Sequence, residues 1–166
     1  GYYGYFNHSK AKKGYSGVVT YSKFKPKSVN INIGIEKFDI EGRIVETDFD
    51  DFILFNIYFP NGTSGMHRVE YKLEFYDALF NYIEKYRKTG RNIIVSGDYN
   101  IAHHEIDLAR PKENIETSGF MPIEREKLDL IVSLGYIDTF REFHKEPQQY
   151  TWWSNRARAR ENNIGW

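Results

Sequence analysis

Ten residues, Asn92-Ile-Ile-Val-Ser-Gly-Asp-Tyr-Asn-Ile101, begin as an apolar strand and stop abruptly at a carboxylate and a carboxamide two residues apart, Asp98 and Asn100. On a strand, residues i and i+2 point to the same side. Asp98 and Asn100 are therefore expected to converge on one reacting group, with Gly97 allowing backbone or ligand to come close. The carboxylate can take a proton, whereas the carboxamide can only hold a partner. Such a pair suits activation of a water molecule beside a phosphate. The same residue types also form ordinary Asx turns, in which the side chain bonds its own backbone, so this segment alone leaves both readings open.

A second segment, Phe52-Ile-Leu-Phe-Asn-Ile-Tyr-Phe-Pro-Asn-Gly62, repeats the design, an apolar strand breaking into a Pro60-Asn61-Gly62 turn. Tyr58 and Asn61 are either a strand aromatic and half of a turn pair, or polar groups gathered at a strand end. Two such strand ends in one chain favour the second reading. Runs of β-branched and aromatic residues at 15–23, 29–35, 40–47, 52–58, 92–96 and 150–153 are expected as strands. Residues 68–88 are expected as a helix: Val69, Leu73, Tyr76, Phe80 and Ile83 recur at three- and four-residue spacing, acids lie early, bases lie late, and Gly90 follows. Met121-Pro122, followed by Glu124, Leu128, Ile131, Val132, Leu134 and Gly135, marks a second helix of the same kind.

Composition, with 40% hydrophobic and 28% charged residues, is that of an ordinary globular protein. No apolar run approaches the roughly 18 residues of a membrane span. The absence of cysteine excludes disulfides and thiolate chemistry. The 23 basic and 23 acidic residues cancel, which argues against a protein that holds nucleic acid by bulk charge. Their distribution is uneven. Residues 1–35 hold Lys10, Lys12, Lys13, Lys23, Lys25 and Lys27 and no acid, whereas residues 36–51 hold seven acids and two bases. The lysine-rich end is either a phosphate-contacting segment or a solvated surface.

Nine motifs in order along the chain carry a resemblance. They are Gly14-Tyr-Ser-Gly-Val18, Glu41-Gly-Arg-Ile-Val45, Tyr58-Phe-Pro-Asn-Gly62, Gly97-Asp-Tyr-Asn-Ile-Ala-His103, Glu105-Ile-Asp-Leu108, Gly119-Phe with Glu124-Arg125, Asp138-Thr-Phe-Arg141, Tyr150-Thr-Trp-Trp153 and Asn163-Ile-Gly-Trp166. With them the chain resembles the exodeoxyribonuclease III and abasic-site endonuclease branch of the endonuclease/exonuclease/phosphatase superfamily. The resemblance implies an α/β (α+β) fold, a portion of a four-layered sandwich with two packed mixed β-sheets flanked by helices. It also implies a single incomplete domain over residues 1–166. Segments that the family carries before and after these motifs, among them a glutamate that is its principal metal ligand, have no counterpart here, and folds of this kind commonly need about 200 to 250 residues.

The activity implied is Mg2+-dependent hydrolysis of the DNA phosphodiester 5′ to an abasic site, or 3′ to 5′ exonuclease action on duplex DNA, with Mn2+ as a substitute cation. Asp98, Asn100 and Tyr58 are implied as catalytic residues, and Asp98 and Asn100 as metal ligands. Asn61, Tyr15, Trp152, Trp166, Arg156 and Asn114 are implied as DNA-binding residues. In that reading Tyr15 rests in a DNA groove, Trp152 and Trp166 wall the pocket for a sugar without its base, and Arg156 enters or lines the duplex. The plainer alternative places the tryptophans in the core and leaves the arginines solvated. His103-His104-Glu105 invites a metal reading, yet neighbours on a strand face opposite ways and no fourth ligand is suitably spaced; the resemblance instead makes this histidine, and Asp107, supports of the loop. Partners implied are duplex DNA with abasic sites or 3′ ends, with no membrane and no obligate protein partner, and the location is the bacterial cytoplasm. With the principal glutamate missing, the chain alone is expected to be inactive. Two rivals remain, an inositol or lipid phosphatase of the same superfamily and a non-catalytic nucleic-acid-binding module.

Overall fold

The computed structural model describes residues 1–166. The chain forms two compact units, one made of Gly1–Pro60 with Glu74–Tyr99 and the other of Asn61–Leu73 with Asn100–Trp166.

The first unit contains an antiparallel hairpin, β1 (Tyr3–His8) and β2 (Gly17–Ser22), paired from Tyr3 opposite Ser22 to His8 opposite Gly17. It also contains a four-stranded mixed sheet in the order β3 (Ser28–Asn30), β4 (Ile44–Asp48), β5 (Ile53–Tyr58), β6 (Ile93–Asp98). β3, β4 and β5 are antiparallel neighbours, and β5 pairs with β6 in parallel. A parallel pair needs a crossover, and α2 (Met66–Arg87) runs in the connection between β5 and β6. A short α1 (Glu36–Asp39) precedes β4.

Alternation along β5 sets the layers. Ile53, Phe55 and Ile57 are buried, and Phe55 meets the rings of Tyr82 and Tyr86 on α2 at 6.4 and 6.0 Å. Leu54, Asn56 and Tyr58 are half-buried on the opposite side. There Asn56 donates to Val19 O (2.9 Å) and Thr20 Oγ1 (3.2 Å) of the hairpin, and the buried Asn7 of β1 donates to Ile31 O and Ile44 O, both at 2.9 Å. Just beyond β5, Phe59 is stacked between Tyr76 (4.4 Å) and Tyr99 (4.6 Å) with Phe75 edge-on at 5.8 Å. Buried Glu46 on β4 accepts hydroxyls from Tyr82 (2.8 Å) and Tyr86 (2.9 Å). Burial pushes both phenols up from their ordinary range, so they remain neutral donors to that carboxylate.

The second unit holds α3 (Pro122–Ser133), α4 (Thr139–Phe143), a 3-10 turn at Glu105–Asp107 and a single bridge between Trp153 and Gly165. Ala102, Leu108 and Phe120 form its buried cluster, with Trp166 packed against them. Asp138 caps α4 by accepting Arg141 N (3.0 Å), while the Arg141 guanidinium donates to Asp107 (2.6 Å), Ile106 O (3.1 Å) and Gln149 O (2.9 Å). No helix is long and apolar enough to cross a membrane.

The α/β class with two sheets is as expected, as are both long helices. Expected strands over 29–35 and 40–47 are trimmed to Ser28–Asn30 and Ile44–Asp48, because α1 and the turn at Gly42 (φ 63) occupy the residues between them. Residues 150–153 contribute only the Trp153 bridge instead of a strand.

Phe59→Ala removes a fully buried ring held by three aromatic neighbours, and a loss of about 3 to 5 kcal/mol of unfolding free energy is expected in denaturant titration. Arg91 donates to Asp48 at 2.6 and 3.1 Å and holds that carboxyl below its ordinary value of 3.8. A depressed acid stabilises the fold above its unfolded pKa and loses that contribution as pH falls. Arg91→Met should therefore flatten the fall in stability seen in thermal melts below about pH 4 while leaving the profile's shape near neutrality unchanged.

Candidate active site

In the first unit, Tyr58 and Asp98 are register partners, side by side at the C-terminal ends of adjacent parallel strands. The ladder continues one step further, with Phe59 N donating to Asp98 O at 2.9 Å. Glycine is required just before the carboxylate: Gly97 has φ 125, and a Cβ there would lie 1.9 Å from Ile57 O. Tyr58 is held by Arg43, whose guanidinium is buried, donates to Tyr58 O (3.0 Å) and lies 4.8 Å from the phenol ring centroid. The Arg43 carbonyl in turn accepts Tyr58 N at 2.9 Å. Glu41 neutralises the guanidinium at 2.6 Å, and the exposed Tyr15 ring lies 5.6 Å from it. The Glu41-Gly-Arg43 motif thus links Tyr15 and Tyr58 through one cation between two rings.

The lysine-rich end divides in two. Lys10, Lys12 and Lys13 share the β1–β2 turn with Tyr15, whereas Lys23, Lys25 and Lys27 follow the far end of β2, roughly 20 Å away at the rise of an extended strand. Lys27 there pairs with Asp50 at 2.9 Å. Only the first three can act together with Tyr15.

The second unit holds Asn61, Asn100, Asn114, Trp152, Arg156 and Trp166. β6 ends at Asp98 and Asn100 adopts φ 54, so the strand alternation expected to relate Asp98 to Asn100 does not reach Asn100. A left-handed turn of a kind asparagine tolerates replaces it. The Asn61 carboxamide oxygen accepts the Thr63 hydroxyl at 2.8 Å, which presents its amide nitrogen as the end for an oxygen-bearing ligand. Gly62 donates its N–H to Ser118 Oγ at 3.1 Å, and a Cβ at this position would stand 2.4 Å from that same oxygen. Trp152 and Trp166 are joined through their backbones, Trp166 N donating to Trp152 O and Trp152 N to Trp166 O, both at 2.9 Å. Trp152 is 57% exposed, whereas Trp166 is half-buried over the small core. A Cβ on Gly119 would meet both the Trp166 ring (3.1 Å) and Asn100 O (3.2 Å), so Asn100 and Trp166 border one glycine. Arg156 is exposed in its loop, and Asn114 donates to Arg110 O (2.8 Å) in another. No hydrogen bond or ring contact joins either to that group.

The histidines act as braces. His103 Nε2 pairs with Asp129 at 2.7 Å, the His103 and His104 rings stack at 3.8 Å, and Asp107 accepts His104 N at 2.7 Å. Burial, with His103 alongside, holds His104 below the ordinary imidazole range.

The family model of the Endonuclease/Exonuclease/phosphatase family matches residues 1–166. The chain belongs to this family. An exodeoxyribonuclease of Bacillus subtilis (strain 168) is 39% identical over 166 residues, covering 99% of this chain and 65% of the relative. A DNA-(apurinic or apyrimidinic site) endonuclease of Dictyostelium discoideum is 39% identical over 158 residues, covering 93% and 44% respectively. Among solved structures, an AP endonuclease from Archaeoglobus fulgidus superposes with a TM-score of 0.86 at 26% identity, covering 100% of this chain and 64% of that one. The chain spans less than two thirds of the length of the curated relatives it matches.

In this family member no three His, Cys, Asp or Glu side chains gather into a group able to hold a metal ion. Asp98 offers a carboxylate in the first unit and Asn100 a carboxamide oxygen in the second, each right in kind for a hard cation, but neither unit by itself supplies enough such donors. These residues do not make a metal site by themselves.

Sequence reasoning assigned no role to Arg43, Lys72, Ser118 or Glu124, although the structure ties each to a candidate residue. A signal for Lys72 was available: it falls on the apolar stripe of the helix, three residues after Val69 and four before Tyr76, where a charge needs a buried partner. Gly97→Ala is expected to destabilise the protein by on the order of 2 to 4 kcal/mol, since it combines a disfavoured φ with a backbone collision. Chemical unfolding measures it, and a change below about 0.5 kcal/mol, typical of a neutral surface site, would contradict the assigned close approach.

Proposed function

We propose that these residues belong to a cytoplasmic DNA-repair nuclease that hydrolyses the phosphodiester on the 5′ side of an abasic site and removes nucleotides from 3′ ends of duplex DNA. The observation that carries the reading is the register of Tyr58 with Asp98 at two parallel strand ends, backed by Arg43. Relatives named as an exodeoxyribonuclease and an apurinic or apyrimidinic site endonuclease support it. The zero net charge, with three lysines beside an exposed tyrosine, also fits a protein that selects a DNA feature rather than holding DNA by bulk charge.

Water is the nucleophile. Asp98 orients it and takes its proton, a bond forms from the water oxygen to phosphorus, and the P–O3′ bond breaks, leaving a 3′-hydroxyl and a 5′-phosphate on the abasic sugar. Tyr58 lies by the phosphate and assists the leaving oxygen. Asn100 and Asn61 donate to phosphate oxygens or hold the water. Tyr15 lies against the groove, Asn114 contacts the DNA, Arg156 enters or lines the duplex, and Trp152 with Trp166 lines the pocket for the sugar. Mg2+, replaceable by Mn2+, is the proposed cofactor and supplies neutralisation of the developing charge when bound. With one carboxylate among the donors, residues 1–166 alone are expected to have negligible activity, as part of a single larger domain.

Asp98→Asn in the full-length protein is expected to lower incision of an abasic duplex by about 10²- to 10⁴-fold, the usual contribution of a general base, with duplex binding retained. EDTA should abolish turnover and added Mg2+ restore it. Hydrolysis of a phosphoinositide in place of abasic DNA, or an unimpaired Asp98→Asn variant, would overturn the reading.

A further inference from the structure

We propose that the buried ion pair of Lys72 and Glu124 is a positioning device that sets Asn61 and Asn100 together, an inference that rests on the nuclease reading of those two asparagines. All of its members lie within the second unit. Lys72 Nζ and Glu124 Oε1 are 2.7 Å apart, and both side chains are completely buried.

Neither partner ends at the other. Lys72 Nζ also donates to the main-chain oxygen of Asn100 at 2.6 Å. Glu124 Oε1 accepts the Ser118 hydroxyl at 3.1 Å, and its Oε2 accepts Gly119 N at 2.6 Å and Met121 N at 3.1 Å. Ser118 Oγ in turn accepts the N–H of Gly62, the peptide that follows Asn61, at 3.1 Å. One chain of contacts therefore runs from the Asn61–Gly62 peptide through Ser118, Glu124 and Lys72 to the carbonyl of Asn100. The Gly119 loop is held at the same carboxylate, and Gly119 O accepts Ala102 N at 2.8 Å, two residues after Asn100.

A role in stability alone is a poor explanation of this arrangement. Desolvating two charges offsets much of their attraction, and apolar pairs of similar volume commonly serve a core as well or better. An apolar pair cannot donate to the Asn100 carbonyl or accept from Ser118 and Gly119. What the charges add is direction, two fixed loops whose asparagines must reach one phosphate. Lys72 and Glu124 are positioning residues, since neither is exposed to a substrate.

The test is the double variant Lys72→Met with Glu124→Met in the full-length protein, compared with Lys72→Met alone. The single variant leaves a buried carboxylate without its cation and is expected to lose both thermal stability and activity. In the double variant the melting temperature should recover to within a few degrees of the unmodified protein, while kcat on an abasic duplex stays about 100-fold low with KM changed less than about threefold, the signature of displaced catalytic groups. Amide hydrogen exchange at Gly62 and Ala102 should be at least about tenfold faster than in the unmodified protein under conditions where global stability matches. Recovery of kcat together with melting temperature would overturn the proposal. Should the double variant not fold, Ser118→Ala decides: a fall of about tenfold or more in kcat with faster exchange at Gly62 supports it, and unimpaired kcat overturns it. Absence of turnover by the unmodified protein would instead defeat the nuclease reading, and the exchange rates would then still decide whether the pair sets the two loops.

Discussion

Parallel pairing of β5 with β6 is the constraint from which the first unit follows, because two strands running the same way cannot be joined by a tight turn. The connection includes α2, and the helix must then bury an apolar face on the sheet, which Tyr82 and Tyr86 do against Phe55. The same pairing sets Tyr58 opposite Asp98. A slip of one residue would turn every side chain of β6 to the other face, so the phenol and the carboxylate stay neighbours only while the buried alternation of β5 holds. Phe59, stacked between Tyr76 and Tyr99, secures the pairing at its functional end.

Buried charge recurs at three places where side chains or loops are held in a fixed direction. Arg43, neutralised by Glu41, grips Tyr58 by both ring and carbonyl. Glu46 is satisfied by two tyrosine hydroxyls that stay neutral. Lys72 and Glu124 hold the asparagine loops. Such groups contribute little net stability compared with apolar packing, but each has directional bonds that a leucine could not replace. The fold thus separates two tasks, with aromatic and aliphatic burial supplying free energy and satisfied ions supplying orientation.

Much of this was legible in the chain. The 22 residues of α2 announce themselves by apolar spacing, and β5 and β6 by apolar runs that end in turn chemistry. Less was legible where elements are short or their pattern mixed. β1 carries Gly4 amid aromatics that fall on both of its faces, so neither alternation nor composition marks it. α1 and α4, of four and five residues, are too short to show a helical period. The left-handed conformation of Asn100 broke the simplest geometric expectation, that Asp98 and Asn100 share a strand face. Supports such as Ser118 could not be found from spacing, since its partners Gly62 and Glu124 are brought to it only by the folded loops.

The proposed reaction turns on attack of water on phosphorus at an abasic site. It is tested most directly by single-turnover incision of a duplex carrying one natural abasic site, with the full-length protein in 18O-enriched water and Mg2+, followed by mass analysis of both new termini. The expected result is an unmodified 3′-hydroxyl on one fragment and one 18O atom in the 5′-phosphate of the other. An unlabelled phosphate with an unsaturated sugar on the 3′ end would show that the strand is broken by elimination at the sugar, and would contradict the hydrolytic role given to Asp98.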